Sequence, residues 1–145
     1  MSSEPSHRLR ITRRFDASPE RVFDAFLNPE IARKWLFTSP DTDITARRVE
    51  LDARVGGKWF MTNPCQGMEL EGGGEYLEIA RPRRLVFTFA IPMLGPGVDR
   101  IVVEIVPDGA GCILTLTHEL LPPEFHDATE NGWGKMFVRL DAVLA

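Results

Sequence analysis

The stretch Trp133-Gly134-Lys135-Met136-Phe137-Val138-Arg139-Leu140-Asp141-Ala142-Val143-Leu144 decides how the chain folds. Trp133, Phe137, Leu140 and Leu144 fall at i, i+4, i+7 and i+11, an apolar stripe of helical spacing opposite Lys135, Arg139 and Asp141. Pro122-Pro123 marks where the preceding pattern stops, so the spacing predicts one long helix over about 124–144.

Upstream of that helix the pattern changes to period two. Val49, Leu51, Ala53 and Val55 alternate with Glu50, Asp52 and Arg54, as in a strand with one wet face. Gly56-Gly57 supplies a turn, and Lys58-Trp59-Phe60-Met61 begins the returning strand of a hairpin. Asn63 to Gly74 reads as a Gly-rich loop. Further strands are expected at Glu75–Ile79, Arg84–Ile91, Arg100–Val106 and Cys112–Glu119. Pro82, Gly95-Pro96-Gly97 and Asp108-Gly109-Ala110-Gly111 punctuate them.

Residues 8–16 alternate as a first strand, with Leu9, Ile11 and Arg13 on one parity. Ser18-Pro19-Glu20 then opens a short helix carrying Val22, Phe23, Phe26 and Leu27, because serine caps well and proline suits the first helical position. Asn28-Pro29-Glu30 repeats the device for a second short helix ending near Trp35-Leu36-Phe37. The resulting order is strand, two short helices, six strands and a long helix, an α+β arrangement whose short connections imply a meandering antiparallel sheet of six or seven strands. Such a sheet cannot leave its apolar face in water. Only the terminal helix has a long enough stripe to cover it, so the sheet is expected to curl around that helix.

At 145 residues the chain fits one domain, expected over 8–145 behind a flexible N-terminus over 1–7. Hydrophobic residues make up 43% and charged residues 26%, enough apolar material for one core. With a net charge of −4 and scattered Lys and Arg, no nucleic-acid footprint is expected. Arg8, Arg10, Arg13 and Arg14, and separately Arg81, Arg83 and Arg84, read as solvated strand edges that discourage aggregation. No stretch approaches the ~18 apolar residues of a membrane span, and no signal segment is visible at the start. Cys65 and Cys112 match no metal spacing or disulfide framework, so a cytoplasmic protein with reduced thiols is expected.

Beyond the element order, specific words match a known group: Phe15 through Phe26 (FDASPERVFDAF), Asn28-Pro29, Trp35, Gly56-Gly57-Lys58-Trp59, Gly74 through Ile79 (GEYLEI), Pro82, Leu85-Val86-Phe87-Thr88-Phe89 and Gly132-Trp133 through Leu144. Together they resemble the START-like superfamily (SRPBCC, polyketide cyclase and birch-pollen-allergen-like), within it the branch named after the activator of the heat-shock protein 90 ATPase. The resemblance spans about residues 8–145. It implies a helix-grip fold with a cavity between sheet and terminal helix. Many members have Trp-Trp where this chain has Trp35-Leu36, a difference placed at the cavity mouth.

With that cavity implied, the expected ligand-binding set is Trp35, Phe37, Trp59, Met61, Tyr76, Glu78, Phe87, Phe89, His118, Trp133, Met136 and Phe137. Aromatic and Met side chains suit ligands of varied shape. His118 continues the Leu114–Leu116 parity toward the cavity and is either a hydrogen-bonded structural residue or a proton-transfer group. Tyr76 and Glu78 share a strand face. A carboxylate inside an apolar cavity would have a raised pKa, whereas on the wet face Glu78, like Glu104, would form cross-strand ion pairs. No catalytic residue is assigned, since neither a nucleophile-elbow sequence nor a phosphate-loop signature is present. His7, His118 and His126 form no local metal motif; no metal and no cofactor are indicated. Gly132 and Gly134 each cost about 1 kcal/mol in a helix, which suggests close approach by another segment or a ligand.

Three functions remain open on these residues. The first is binding of a small aromatic, polyketide or lipid-like molecule. The second is a cyclase/aromatase-like or hydrolase-like enzyme using a cavity His or Glu. The third, implied by the family name, is a chaperone cofactor that stimulates an ATPase. A homodimer is compatible with all three.

Overall fold

Ser18 accepts a hydrogen bond from Arg21 N through its side chain (3.3 Å), and Pro19 stands first in α1 (Pro19–Leu27). Asn28 repeats the arrangement on Glu30 N (2.9 Å) for α2 (Pro29–Trp35). The computed structural model describes residues 7–145. Apart from His7, whose carbonyl accepts from Leu121 N (2.8 Å), the flexible N-terminus expected over 1–7 lies outside the described residues. Ahead of the two helices runs β1 (Leu9–Phe15). After them come β2 (Val49–Leu51), β3 (Lys58–Cys65), β4 (Met68–Ala80), β5 (Arg84–Phe89), β6 (Asp99–Asp108) and β7 (Gly111–His118). A 3-10 turn at Pro123–Phe125 leads into α3 (His126–Leu144).

The strands form one 7-stranded antiparallel sheet in the order β1-β7-β6-β5-β4-β3-β2. It curves around α3 as expected for a helix-grip fold. Trp133, Phe137, Leu140 and Leu144 are the buried residues of α3, the stripe anticipated from their spacing. Phe137 meets Phe15 edge-on at 5.5 Å. Trp35 donates its indole N–H to Ala25 O (3.0 Å) and stacks on Phe137 at 6.2 Å, so α2 is locked between α1 and α3.

Two segments differ from expectation. Asn63 to Gly74 is not a loop: Gln66 and Gly67, at φ 52 and 77, reverse the chain, and β3 and β4 pair from Cys65↔Met68 up to Lys58↔Glu75. The glycines in this hairpin serve close approach. A Cβ at Gly72 would lie 3.0 Å from Cζ of Phe37, and one at Gly74 would lie 1.9 Å from Thr88 O. Second, the strand expected through Val55 stops at Leu51. Asp52 N donates to Lys58 O (3.0 Å) and Gly57 N to Arg54 O (2.8 Å), a compact turn that leaves Val55 exposed.

The outer face carries the ion pairs that the wet parity implied. Arg84 bridges Glu78 (3.1 Å) and Glu104 (3.0 Å) there, while on the helix-facing side Arg13, on the parity of Leu9 and Ile11, pairs with Asp141 of α3 through Nη1 at 2.8 Å. Gly132 and Gly134 are not pressed by any neighbour: a Cβ at either would meet nothing within 4 Å. Gly134→Ala is therefore expected to stabilise the protein by about 1 kcal/mol, since it gains helix propensity without a clash. A urea titration reads this directly, and a loss of stability would show that Gly134 has a packing role.

Candidate functional site

α3 packs on β1, α1 and α2, so its C-terminal half seals one side of the sheet. Beneath its N-terminal half a cavity of about 770 Å³ remains, bordered by β3, β4 and β5. The floor contains one transverse row set by strand register: His118 pairs with Ile101, Ile101 with Phe87, and Phe87 with Tyr76. Tyr76 and His118 stand three strands apart, about 14 Å along the sheet at the usual strand spacing.

Of the residues expected at the site, Phe37, Trp59, Met61, Tyr76, Phe87, Phe89, His118, Trp133 and Met136 border this cavity. Their rings pack against one another: Trp59 meets Phe87 edge-on at 6.0 Å and lies 5.5 Å from Phe89, which meets Phe37 at 5.7 Å. Trp59 donates its indole N–H to Thr88 O (2.9 Å), which fixes the ring against the floor.

Trp35, Phe137 and Glu78 do not border the cavity. Trp35 and Phe137 are consumed by the packing between α2 and α3 described above. Glu78 is turned away by a register shift between Tyr76 and Glu78. A bulge inserts one residue into β4, so Tyr76 pairs with Phe87 and faces inward while Glu78 pairs with Val86 and reaches Arg84 on the outer face. The shared face read from period-two counting is split by that extra residue.

His118 is 5% exposed and has both ring nitrogens engaged. Trp133 Nε1 lies 2.8 Å from His118 Nε2, and His118 Nδ1 lies 2.6 Å from Asp99 Oδ2. An indole can only donate, so Nε2 accepts and the ring proton sits on Nδ1, facing the carboxylate. Burial alone would raise the Asp99 pKa. Hydrogen bonds from His118, Leu120 N and Arg100 N outweigh it, and the carboxyl is held below its ordinary range. The trio ties β6, β7 and α3 together at one end of the cavity.

A sequence model of the family described as Activator of Hsp90 ATPase homolog 1-like protein matches residues 16–145. The chain belongs to this family. Among solved structures it is similar to protein CV1439 from Chromobacterium violaceum, at 30% identity over 95% of this chain and 96% of that one, with a TM-score of 0.83. Protein Mll3558 from Rhizobium loti is similar at 27% identity, over 94% of this chain and 96% of that one, with a TM-score of 0.77. Protein NE0264 from Nitrosomonas europaea shares the fold at 21% identity, with coverage of 99% and 97% and a TM-score of 0.78. No curated protein matches the chain.

Two further features of the site escaped the sequence. Arg47, only 4% exposed, donates to Thr62 O (2.8 Å), Leu36 O (2.7 Å) and Phe37 O (3.2 Å), and also to Arg33 O. It thereby pins the segment that carries Leu36 and Phe37 into the cavity wall, with Phe37 held at φ 56. Burial, then the charges of Arg33 and Arg139, push its pKa down to about 10, so it remains charged at neutral pH. The second feature is the cavity rim, where Leu94, Val98, Leu120 and Phe125 expose large apolar side chains. They come from two connections, Leu94 and Val98 between β5 and β6 and Leu120 and Phe125 between β7 and α3, which meet only on folding.

Among the described residues no helix is long and apolar enough to cross a membrane, and no cluster of His, Cys, Asp and Glu could hold a metal ion.

Proposed function

We propose that the protein binds a small hydrophobic molecule in the cavity between the sheet and α3. The observation that carries this reading is the cavity itself: about 770 Å³, walled by Trp59, Phe87, Phe89, Met61 and Met136, and reached past an apolar rim. Sites for drug-sized ligands run to roughly 300–1,000 Å³ with apolar, aromatic walls and few polar groups. Membership of a family with the helix-grip fold supports the same reading. An enzymatic use of the cavity would centre on His118, yet its Nε2 lone pair already accepts from Trp133, so proton abstraction requires Trp133 to move first. Binding without covalent chemistry needs no such rearrangement.

The neutral fluorophore N-phenyl-1-naphthylamine tests this directly. Its emission is expected to rise on binding and saturate. At a free concentration of 100 times Kd it should add about 2.7 kcal/mol to the stability of the folded state. Leu36 borders the cavity. Leu36→Trp should fill part of the space and weaken the probe by about tenfold, equivalent to roughly 1.4 kcal/mol. An unchanged affinity in Leu36→Trp would place the probe elsewhere.

A further inference from the structure

Of the polar side chains on the cavity wall, most are already spent. Trp59 and Trp133 donate to Thr88 O and His118, and both oxygens of Asp99 accept hydrogen bonds. Thr129 is half-buried on α3 and open to solvent on one side. Tyr76 is different: it is 3% exposed, it borders the cavity, and its hydroxyl has no hydrogen-bond partner among the described residues. No buried side-chain polar atom among the described residues lacks a partner, so this hydroxyl is still open to water in the cavity, and a ligand that expels that water must supply an acceptor in its place or leave the group unsatisfied.

The charges around the cavity restrict that acceptor. Among the described residues its wall contains no Lys or Arg, while Asp99 contributes a carboxylate. Arg47, the buried cation behind Leu36 and Phe37, has its guanidinium committed to main-chain carbonyls. An anionic ligand would therefore enter without a counter-ion, at a heavy desolvation cost. Burial, and secondarily the charge of Asp52, raises the Tyr76 pKa, so the phenol stays a neutral donor at physiological pH.

We propose that the Tyr76 hydroxyl anchors the ligand by donating a hydrogen bond, and that the ligand is an uncharged hydrophobic molecule bearing a carbonyl-type oxygen, not a carboxylate. This rests on the cavity-binding reading above. The β4 bulge belongs to the same device, because it turns Tyr76 inward and sends Glu78 to the outer face. The site thus presents a donor where regular alternation would have added a carboxylate beside it.

Three probes of one shape test the proposal: 2-acetylnaphthalene, 2-ethylnaphthalene and 2-naphthoate, each competed against N-phenyl-1-naphthylamine at neutral pH. Tyr76→Phe is expected to weaken the ketone by about five- to tenfold and to leave the hydrocarbon unchanged. Naphthoate should bind at least about tenfold more weakly than the ketone. If Tyr76→Phe alters ketone and hydrocarbon equally, or naphthoate binds as well as the ketone, the proposal is overturned while cavity binding stands. If none of the three probes binds, both readings fall. Retained hydrocarbon binding by Tyr76→Phe shows that the variant is folded.

Discussion

Trp133→Ala is expected to lower the free energy of unfolding by roughly 3–5 kcal/mol, the usual range for removing a buried tryptophan. The indole is 4% exposed, lies 5.6 Å from Phe137 and 6.4 Å from Trp35, and donates to His118. Its removal takes away packing between α3 and α2 and leaves His118 Nε2 buried without its partner. Trp133→Phe separates the two contributions. That variant keeps most of the ring contact and loses the N–H, for a smaller cost of about 1–3 kcal/mol. Chemical denaturation of both variants measures the difference, and a loss below about 1 kcal/mol for Trp133→Ala would mean that the indole is a cavity wall with little part in the core.

Arg47→Met should be nearly as damaging, at roughly 3 kcal/mol. Methionine matches the length of the stem yet leaves the carbonyls of Arg33, Leu36, Phe37 and Thr62 without their donor. Part of that cost is offset because a desolvated charge disappears with the guanidinium. Arg47→Lys is expected to recover only a fraction, since one ammonium cannot reproduce a planar fork that serves several oxygens at once. Phe37 gives a second readout. A non-glycine residue at positive φ needs support from its surroundings, so releasing it should weaken binding of apolar probes along with stability. Full stability of Arg47→Met in a urea titration would show that water replaces the guanidinium freely.

The features legible in the sequence are those set by local spacing. The α3 stripe follows from helical periodicity, α1 and α2 from Ser18-Pro19 and Asn28-Pro29, and the inward parity of Leu114, Leu116 and His118 from strand alternation. What escaped depends on pairs of distant residues. Gly72 reads as flexible until Phe37 is placed against it, and Gly74 until Thr88 O is. Arg47 resembles any other arginine in a polar run, because the carbonyls it satisfies lie on either side of it in the chain and converge only on folding. The bulge in β4 is invisible to period-two counting, since one inserted residue reverses the face of everything after it. Period-two counting puts Tyr76 and Glu78 on one face, and the bulge parts them.

The central claim is that apolar ligands occupy the space under the N-terminal half of α3, and the three tryptophans of the chain report on it separately. Trp59 and Trp133 border the cavity, whereas Trp35 is buried behind it with its indole N–H on Ala25 O. The most direct measurement is a two-dimensional ¹H–¹⁵N NMR titration of the indole groups with N-phenyl-1-naphthylamine. The Trp59 and Trp133 signals should move and saturate together, with Trp35 shifting least; three unmoved signals at saturating probe, or a shift led by Trp35, would contradict the account.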